Sequence, residues 1–380
     1  MEILKFTDDH KAYRERLAAF LADEVVPLIP KCEKEHLTPK SMWRAMGKSG
    51  FLCPWIEKEY GGQGLDFLYS VIVWDEVARI NFTGLAVGLH SDIVVPYVHS
   101  FGSEAQKQAY LPGCVSGDII AAVAMTEPGA GSDVASMETT AVQEGDEIIL
   151  NGSKTFISNG VNCDLVVLAA RSPEVENPHQ AISLYLVEEG TPGFTKGKPF
   201  EKMGWASQDT AELFFSDCRI PVANRLGNAG DGFLMLMQKL QQERLVCAVG
   251  GVFGTEAMLA RAVEFCKTRK RNGKPLSKYQ SVQFALVEMA TELEIQKNFA
   301  YVLLNDHMAG KQVIKETSMA KYRMTEMSKL LSARCLDIMG PEAAMESHDL
   351  ARMFRDARVT SIFAGTNEIM KTIIAKTMGL

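Results

Sequence analysis

Met125-Thr126-Glu127-Pro128-Gly129-Ala130-Gly131-Ser132-Asp133 is the stretch from which the fold is read. Two glycines beside a serine let backbone N–H groups come close to a ligand. The stretch is not a Walker loop, because no Gly-Lys-Ser/Thr follows it. It is not a dinucleotide fingerprint either, because Val134 stands where the third glycine belongs. Taken alone, it is a glycine-rich turn between a helical zone and a zone of strands.

Residues 7–118, upstream of the turn, carry helical periodicity. Thr7-Asp8-Asp9 makes an N-cap with early acids, and Tyr13, Leu17, Phe20 and Leu21 then recur at helical spacing. Breaks are expected at Pro27, Pro30, Pro39 and Pro54 and at Gly61-Gly62-Gln63-Gly64. Downstream, residues 137–217 change period. Segments 147–150 and 155–158 precede Asn151-Gly152 and Asn159-Gly160, and apolar runs cover 165–170, 182–187 and 213–215. Short strands parted by Asn-Gly and Pro-Gly turns predict an antiparallel sheet or barrel, not a βαβ array. From residue 230 helices return: Val282, Leu286, Met289, Leu293, Ala300 and Leu303 trace one face, and the Met-rich stretch 308–378 reads as bundle core. The expected class is α+β, with a helical unit over 1–121, a β unit over 122–228 and a helical bundle over 229–380.

Composition narrows the function. With 380 residues, 47% of them hydrophobic and 23% charged, the chain is neither disordered nor a disulfide scaffold. Its net charge of −7 argues against nucleic acid as the main partner. The last 150 residues are nevertheless net basic, which suits an anionic small ligand. Eight cysteines lie scattered without a C-x-x-C pair, and neither they nor the seven histidines show metal-ligand spacing. Met1-Glu2-Ile3-Leu4-Lys5 lacks the apolar stretch of a signal peptide, and no membrane span is expected, so a cytoplasmic location is the expectation.

Four motifs in order carry a resemblance. Residues 125–133 resemble the T-E-P-x-A-G-S-D signature of the acyl-CoA dehydrogenase family. Asn151-Gly152-Ser153-Lys154-Thr155-Phe156-Ile157-Ser158-Asn159 resembles its N-G-x-K-x-[WF]-I-[ST]-N segment. Gln208-Asp209-Thr210-Ala211-Glu212 and Phe363-Ala364-Gly365-Thr366-Asn367-Glu368-Ile369 match two more. The resemblance implies an acyl-CoA dehydrogenase fold: an N-terminal all-α domain, a middle antiparallel β-domain and a C-terminal four-helix bundle. It also implies FAD as cofactor, an acyl-CoA substrate, electron-transfer flavoprotein as acceptor, and a homo-oligomer (a tetramer or dimer of dimers). By the same resemblance Met125, Thr126, Gly131 and Ser132 touch the flavin, and Phe156 and Ser158 back its ring. Thr366 and Glu368 sit near the cofactor's other end, with Asp337 and Gly340 in the segment that meets its ADP half. Arg269 and Gln280 reach the FAD of a neighbouring subunit, and Ser132 and Arg244 serve the CoA side.

The reaction so implied removes a proton α to a thioester while hydride leaves the β carbon, and it needs a carboxylate poised against an apolar cleft. One family position for that base, the residue before Gly365-Thr366, is Ala364 here and cannot act. The other lies on the helix after the sheet, where Gln242-Glu243-Arg244-Leu245 resembles the long-chain and isovaleryl members and makes Glu243 the base. Asp92, in Leu89-His90-Ser91-Asp92-Ile93-Val94-Val95-Pro96, is expected to be buried. It reads either as a structural pair with His90 or as a second base, resembling dehydrogenases of alicyclic CoA thioesters such as cyclohexane- or cyclohexenecarboxyl-CoA. Two departures stand out: Asn272 replaces a family Phe, and Asp337-Ile338-Met339-Gly340-Pro341 replaces Q-x-x-G-G. An oxidase and a homologue that has lost catalysis and serves in assembly or binding are the remaining alternatives. Lys267-Thr268-Arg269-Lys270-Arg271 fits a subunit contact or a CoA phosphate site.

Overall fold

A computed structural model describes residues 3–380; the first two residues of the N-terminal stretch discussed above lie outside the described residues. Helix α1 (Asp8–Phe20) opens as the sequence predicts. Thr7 Oγ1 accepts from the His10 N–H while the His10 ring pairs back to the Thr7 N–H, and Tyr13 and Leu17 are buried. Short helices α2 (Ile29–Glu35) and α3 (Lys40–Lys48) follow, with Pro30 in the first turn of α2 and Pro39 capping α3. Helix α4 (Phe67–Arg79) buries every residue from 68 to 76, because it packs between α1 and the bundle. A wide π-turn (Leu89–Val94) leads into α5 (Val95–Phe101), and α6 (Glu104–Ser116) starts on a Ser103/Gln106 capping box.

The middle zone forms strands β1 (Ala121–Ala124), β2 (Thr140–Glu144), β3 (Glu147–Ile157), β4 (Leu165–Arg171), a short α7 (Pro178–Ala181), then β5 (Ile182–Glu188), β6 (Phe194–Lys196), β7 (Ala211–Pro221) and β8 (Arg225–Leu226). The sheet order is β6-β7-β3-β2-β4-β5-β8, with β1 beside β4. Most pairs are antiparallel, but β1 and β2 both meet β4 in parallel, so the sheet is mixed where an antiparallel one was expected. Alternation along β4 and β5 feeds two cores. Leu165, Val167, Ala169, Ile182, Leu184 and Leu186 join a core with Ile93, Val94, Tyr97, Met235 and Leu236. Val166, Leu168, Ala170, Tyr185 and Val187 point into the sheet's other core. The first core fuses the helical N-terminal part, the sheet and the helix that follows it.

That helix, α8 (Gly232–Thr268), runs for 37 residues. A two-residue hairpin, β9 (Lys270–Arg271) and β10 (Lys274–Pro275), then precedes α9 (Gln280–Met308), α10 (Ile314–Met339), α11 (Asp349–Ala357) and α12 (Asn367–Thr377). Helix α8 is long and apolar enough to cross a membrane by length and composition, with a mean hydropathy of 1.4 over 18 residues. Here its apolarity serves the bundle, since α10, α9 and α4 pack around it. Asn272 (φ 50°) and Gly273 (φ 77°) occupy the two turn positions of the β9–β10 hairpin, both left-handed, a conformation that suits asparagine and glycine.

The expected turn at Asn151-Gly152 is not a turn. Both residues lie inside β3, at a register shift against β7 between Leu150 and Gly152. Asn151 holds the bulge with Asp217: its Nδ2 donates to Asp217 Oδ1 (3.2 Å), and its Oδ1 accepts from the Asp217 N–H (2.8 Å). Gly152 has φ 145°, and a Cβ there would lie 2.6 Å from Thr139 Oγ1 and 2.7 Å from its Cα. The glycine thus serves a close approach between β3 and the segment before β2. Gly152→Ala is expected to lower unfolding stability by about 1–3 kcal/mol, read from the midpoint of urea denaturation; an unchanged midpoint would contradict the packing described.

Candidate active site

Glu243 lies on α8, and its side chain is buried. The residue that meets it comes from far away in sequence: Tyr97 on α5, also buried, donates from Oη to Glu243 Oε1 at 2.7 Å. Burial pushes the Glu243 carboxyl up to about 7, opposed by the Tyr97 hydrogen bond and by the Arg244 and Lys239 charges. Burial and the neighbouring carboxylate hold the Tyr97 hydroxyl well above its ordinary range, so it is the donor. Arg244 is buried as well, and its Nε has no hydrogen-bond acceptor among the described residues.

Gln242, one residue before the base candidate, donates from Nε2 to the Asp92 carbonyl at 2.6 Å. The reason that carbonyl accepts a side chain is local. Pro96, four residues on, has no N–H to return, and the chain widens into the π-turn. Asp92 itself is fully buried and does not pair with His90. Its Oδ1 accepts from Ser70 Oγ (2.7 Å) and Trp55 Nε1 (3.2 Å), and its Oδ2 accepts from Trp74 Nε1 (2.8 Å). His90 turns the other way, bonding the Cys114 carbonyl (2.9 Å) and the Ala121 N–H (3.1 Å), because β1 passes behind it. Burial raises the Asp92 carboxyl to about 7 against the pull of its three donors.

The glycine-rich turn is tied to β3. Glu127 and Ala130 exchange backbone hydrogen bonds, leaving Pro128 and Gly129 exposed at the tip, with Gly131 and Ser132 exposed beyond it. The Glu127 carboxylate accepts from the Thr139 N–H (3.0 Å), the Glu138 N–H (2.5 Å) and Lys154 Nζ (2.6 Å), and Lys154 also reaches the Met125 carbonyl (3.0 Å). Lys154 has no exposed surface, and burial lowers its ammonium to about 8; the lysine in turn keeps Glu127 below the ordinary carboxylate range despite burial. The Thr155 N–H donates to the Thr126 carbonyl at 2.9 Å. Beyond that tie β3 slips register again. Phe156 takes φ 56° and its ring stands 67% exposed, 5.4 Å from the Phe200 ring. A bulky residue in left-handed backbone costs stability. Ser158 is half-buried beside it.

On the bundle side, Lys321 of α10 has no exposed surface and donates to the Gly365 carbonyl (2.6 Å) and Asn367 Oδ1 (3.2 Å). Burial lowers it to about 8, with Cys247 and Arg244 of α8 and Glu368 among the charges it feels. It therefore ties α10 to the 363–368 loop, within reach of the charges of the α8 turn that carries Arg244. In that loop Ala364 has φ 50°, Thr366 Oγ1 caps α12 by accepting from the Ile369 N–H (3.2 Å), and Glu368 is exposed. Trp205, from the loop before β7, packs edge-on against Phe363 at 5.2 Å.

The remaining expected residues lie elsewhere. Arg269 pairs with Glu342 at 2.7 Å, next to Gly340, where α10 ends with φ 76°, and Asp337 and Gln280 are exposed. Along α8, Arg269 is roughly 39 Å from Glu243 at about 1.5 Å per residue. Tyr97, Met125 and Ala130 share a core with Leu236 of α8, Lys154 ties residues 125–127 to β3, and Lys321 lies within reach of the Arg244 charge while holding the Gly365 carbonyl; Arg269 instead lies at the far end of the bundle, against Glu342. Tyr97, Lys154 and Lys321 were not singled out from sequence. Tyr97 is 146 residues from its acceptor and left no local signal, whereas Lys154 stands in the N-G-x-K segment and Lys321 at a core position of α10 (after Thr317 and Ala320, before Met324).

Comparison with known proteins agrees with the three-part fold. Family models for the acyl-CoA dehydrogenase N-terminal, middle and C-terminal domains match residues 7–118, 122–218 and 230–379. The chain is 40% identical over 372 residues to the mitochondrial long-chain specific acyl-CoA dehydrogenase of Rattus norvegicus, covering 98% of this chain and 86% of that one. The structure superposes on that of an acyl-CoA dehydrogenase from Geobacillus kaustophilus with TM-score 0.97 and 47% identity, covering 99% of both chains. It superposes on butyryl-CoA dehydrogenase from Megasphaera elsdenii with TM-score 0.94 and 30% identity, covering 99% of this chain and 100% of that one.

The Glu127–Lys154 pair offers a direct test of how the turn is held. Glu127→Gln leaves a buried ammonium without its counter-charge and is expected to cost about 3–5 kcal/mol. Lys154→Met introduced on top of it should restore part of that loss, in a double-mutant cycle measured by denaturant unfolding. Additive losses would mean that the pair is not coupled.

Proposed function

The chain belongs to the acyl-CoA dehydrogenase family of FAD-dependent oxidoreductases, and on that premise we propose that it dehydrogenates a linear acyl-CoA thioester at its α,β bond with Glu243 as the α-proton base. The observation that carries this reading is a carboxylate buried against an apolar core, raised to about 7, with Ala364 at the alternative position. Removal of water strengthens such a base once substrate fills the cleft.

The residues present fit FAD. Phe156 offers an exposed ring, and the backbone at Gly129 and Gly131 is open. Met125, Thr126, Gly131, Ser132, Phe156 and Ser158 would hold the flavin, and Thr366 and Glu368 the region beyond it. Bound FAD supplies the hydride acceptor. Glu243 takes the α proton on its carboxylate, Arg244 and Ser132 face the CoA side, and Lys321 fixes the loop carbonyl at Gly365. Asp92 is assigned the wall and not the base, because three donors already occupy its two oxygens. Electron-transfer flavoprotein is the proposed oxidant and the cytoplasm the proposed location; the eight free thiols support a reducing compartment.

A homo-oligomer completes the reading. Phe284, Val287, Ile295 and Val302 lie exposed along one face of α9, an apolar stripe that a second copy would cover. By the family resemblance Arg269 and Gln280 would reach a neighbour's cofactor, and the separation of Arg269 from Glu243 along α8 supports that reading. Phe284→Glu combined with Val287→Glu is expected to give smaller species in sedimentation velocity and weaker FAD retention; an unchanged sedimentation coefficient would place the interface elsewhere.

The chemical test is anaerobic mixing with a panel of acyl-CoAs. Flavin bleaching should be lost, by at least about 1000-fold in rate, in Glu243→Gln, while Asp92→Asn keeps it. Because Glu243 must be ionised to accept a proton, the wild-type rate should rise with pH through about 7 and level off above it. Activity surviving in Glu243→Gln but lost in Asp92→Asn would reverse the assignment.

A further inference from the structure

The base turn of α8 is held from outside by two hydrogen bonds that end on one short segment. Tyr97 Oη donates to Glu243 Oε1, and Gln242 Nε2 donates to the Asp92 carbonyl. Both ends lie within or just after the π-turn Leu89–Val94. A π-turn accommodates one extra residue and so rotates everything after it by about 100° relative to an uninterrupted α-helix. With that rotation Asp92 faces Ser70, Trp55 and Trp74, and Tyr97 faces α8. The Asp92 carboxylate thereby locks the segment that carries Tyr97. Glu243 Oε1 is engaged, whereas Oε2 takes no hydrogen bond among the described residues.

We infer that Tyr97 is a positioning residue for Glu243, holding one carboxylate oxygen so that the other faces the substrate's α carbon, and that the Asp92-anchored π-turn sets its aim. This rests on Glu243 being the base. Tyr97 does not touch the reacting atoms; it acts by fixing the carboxylate rotamer and favouring its ionised form. The groups that face Glu243 are Tyr97 from α5 and Lys239, Arg244 and Cys247 from α8. Lys321 of α10 faces Arg244 and Cys247, and Asp92 lies on the π-turn. Of these, Tyr97 is the one that donates a hydrogen bond to the carboxylate.

The test uses the FAD-loaded enzyme and compares wild type, Tyr97→Phe, Asp92→Asn and Glu243→Gln. Tyr97→Phe keeps the ring and removes only the donor, so FAD content and the affinity for acyl-CoA should stay within about twofold of wild type. Its bleaching rate at pH 7 should fall by about tenfold or more. The acid limb of the rate should move to higher pH by about one pH unit, a tenfold change in the ionisation constant, and the rate should recover in part at alkaline pH. A merely structural tyrosine would lower the rate without moving that limb. Asp92→Asn keeps the shape of the anchor and should displace the limb less than Tyr97→Phe does. If Tyr97→Phe fails to fold, Tyr97→His, which can donate in Tyr's place, should retain a limb near that of wild type. A Tyr97→Phe limb coincident with wild type, in an enzyme that Glu243→Gln inactivates, overturns the inference and spares the base assignment. An active Glu243→Gln overturns the base assignment itself.

Discussion

The three parts of the molecule bury one carboxylate, Glu243, whose ionised form is costly where almost no water reaches. Such a group requires partners: a phenol from another part of the chain donates to it, and the cations of Arg244 and Lys239 lie near. That requirement explains why the three parts share a core. Ile93, Val94 and Tyr97 from the helical part, alternate residues of β4 and β5, and Met235 and Leu236 of α8 pack as one cluster. Separating any of the three would uncover the charge they jointly enclose.

The same logic recurs at three further buried ions. Lys154 secures the glycine-rich turn through Glu127 and the Met125 carbonyl, Lys321 secures the 363–368 loop, and Asp92 gathers two indoles and a hydroxyl. Each ties a loop of irregular backbone to a regular element. Irregular loops have few ladder hydrogen bonds of their own, so a buried ion with several bonds is an economical way to hold their shape. Phe156 and Ala364, both at left-handed φ, sit in or beside segments held this way.

Much of the architecture was legible because the period of the apolar residues changes from helical to alternating and back, and because the cap at Thr7 and the turn chemistry are local. The run of β3 through Asn151-Gly152 was not. An Asn-Gly pair carries the same signal in a turn as in a bulge, and only the contact with Thr139 distinguishes them. The mixed sheet was hidden for a similar reason, since parallel pairing of β1 with β4 depends on a crossover that no local pattern records. At the site, Glu243 was readable from the motif around it, but the hydroxyl that holds it was not. Tyr97 owes its direction to an extra residue in the preceding turn, and Asp92 finds indole donors instead of the neighbouring imidazole for the same reason.

Helix α8 carries Glu243 in its first third and is capped at Arg269, some seven turns later. A continuous helix of that length is a stiff strut. In the proposed oligomer each chain would therefore serve two pockets, its own through Glu243 and a neighbour's through Arg269. Subunits would then be unequal to the sum of their separate defects: an intact chain could lend its far end to a partner lacking Arg269, while a chain lacking both residues would impair two pockets at once. Mixed assemblies of complementary variants would regain fully competent pockets in proportions set by pairing statistics, a stoichiometric signature that belongs to the length of one helix.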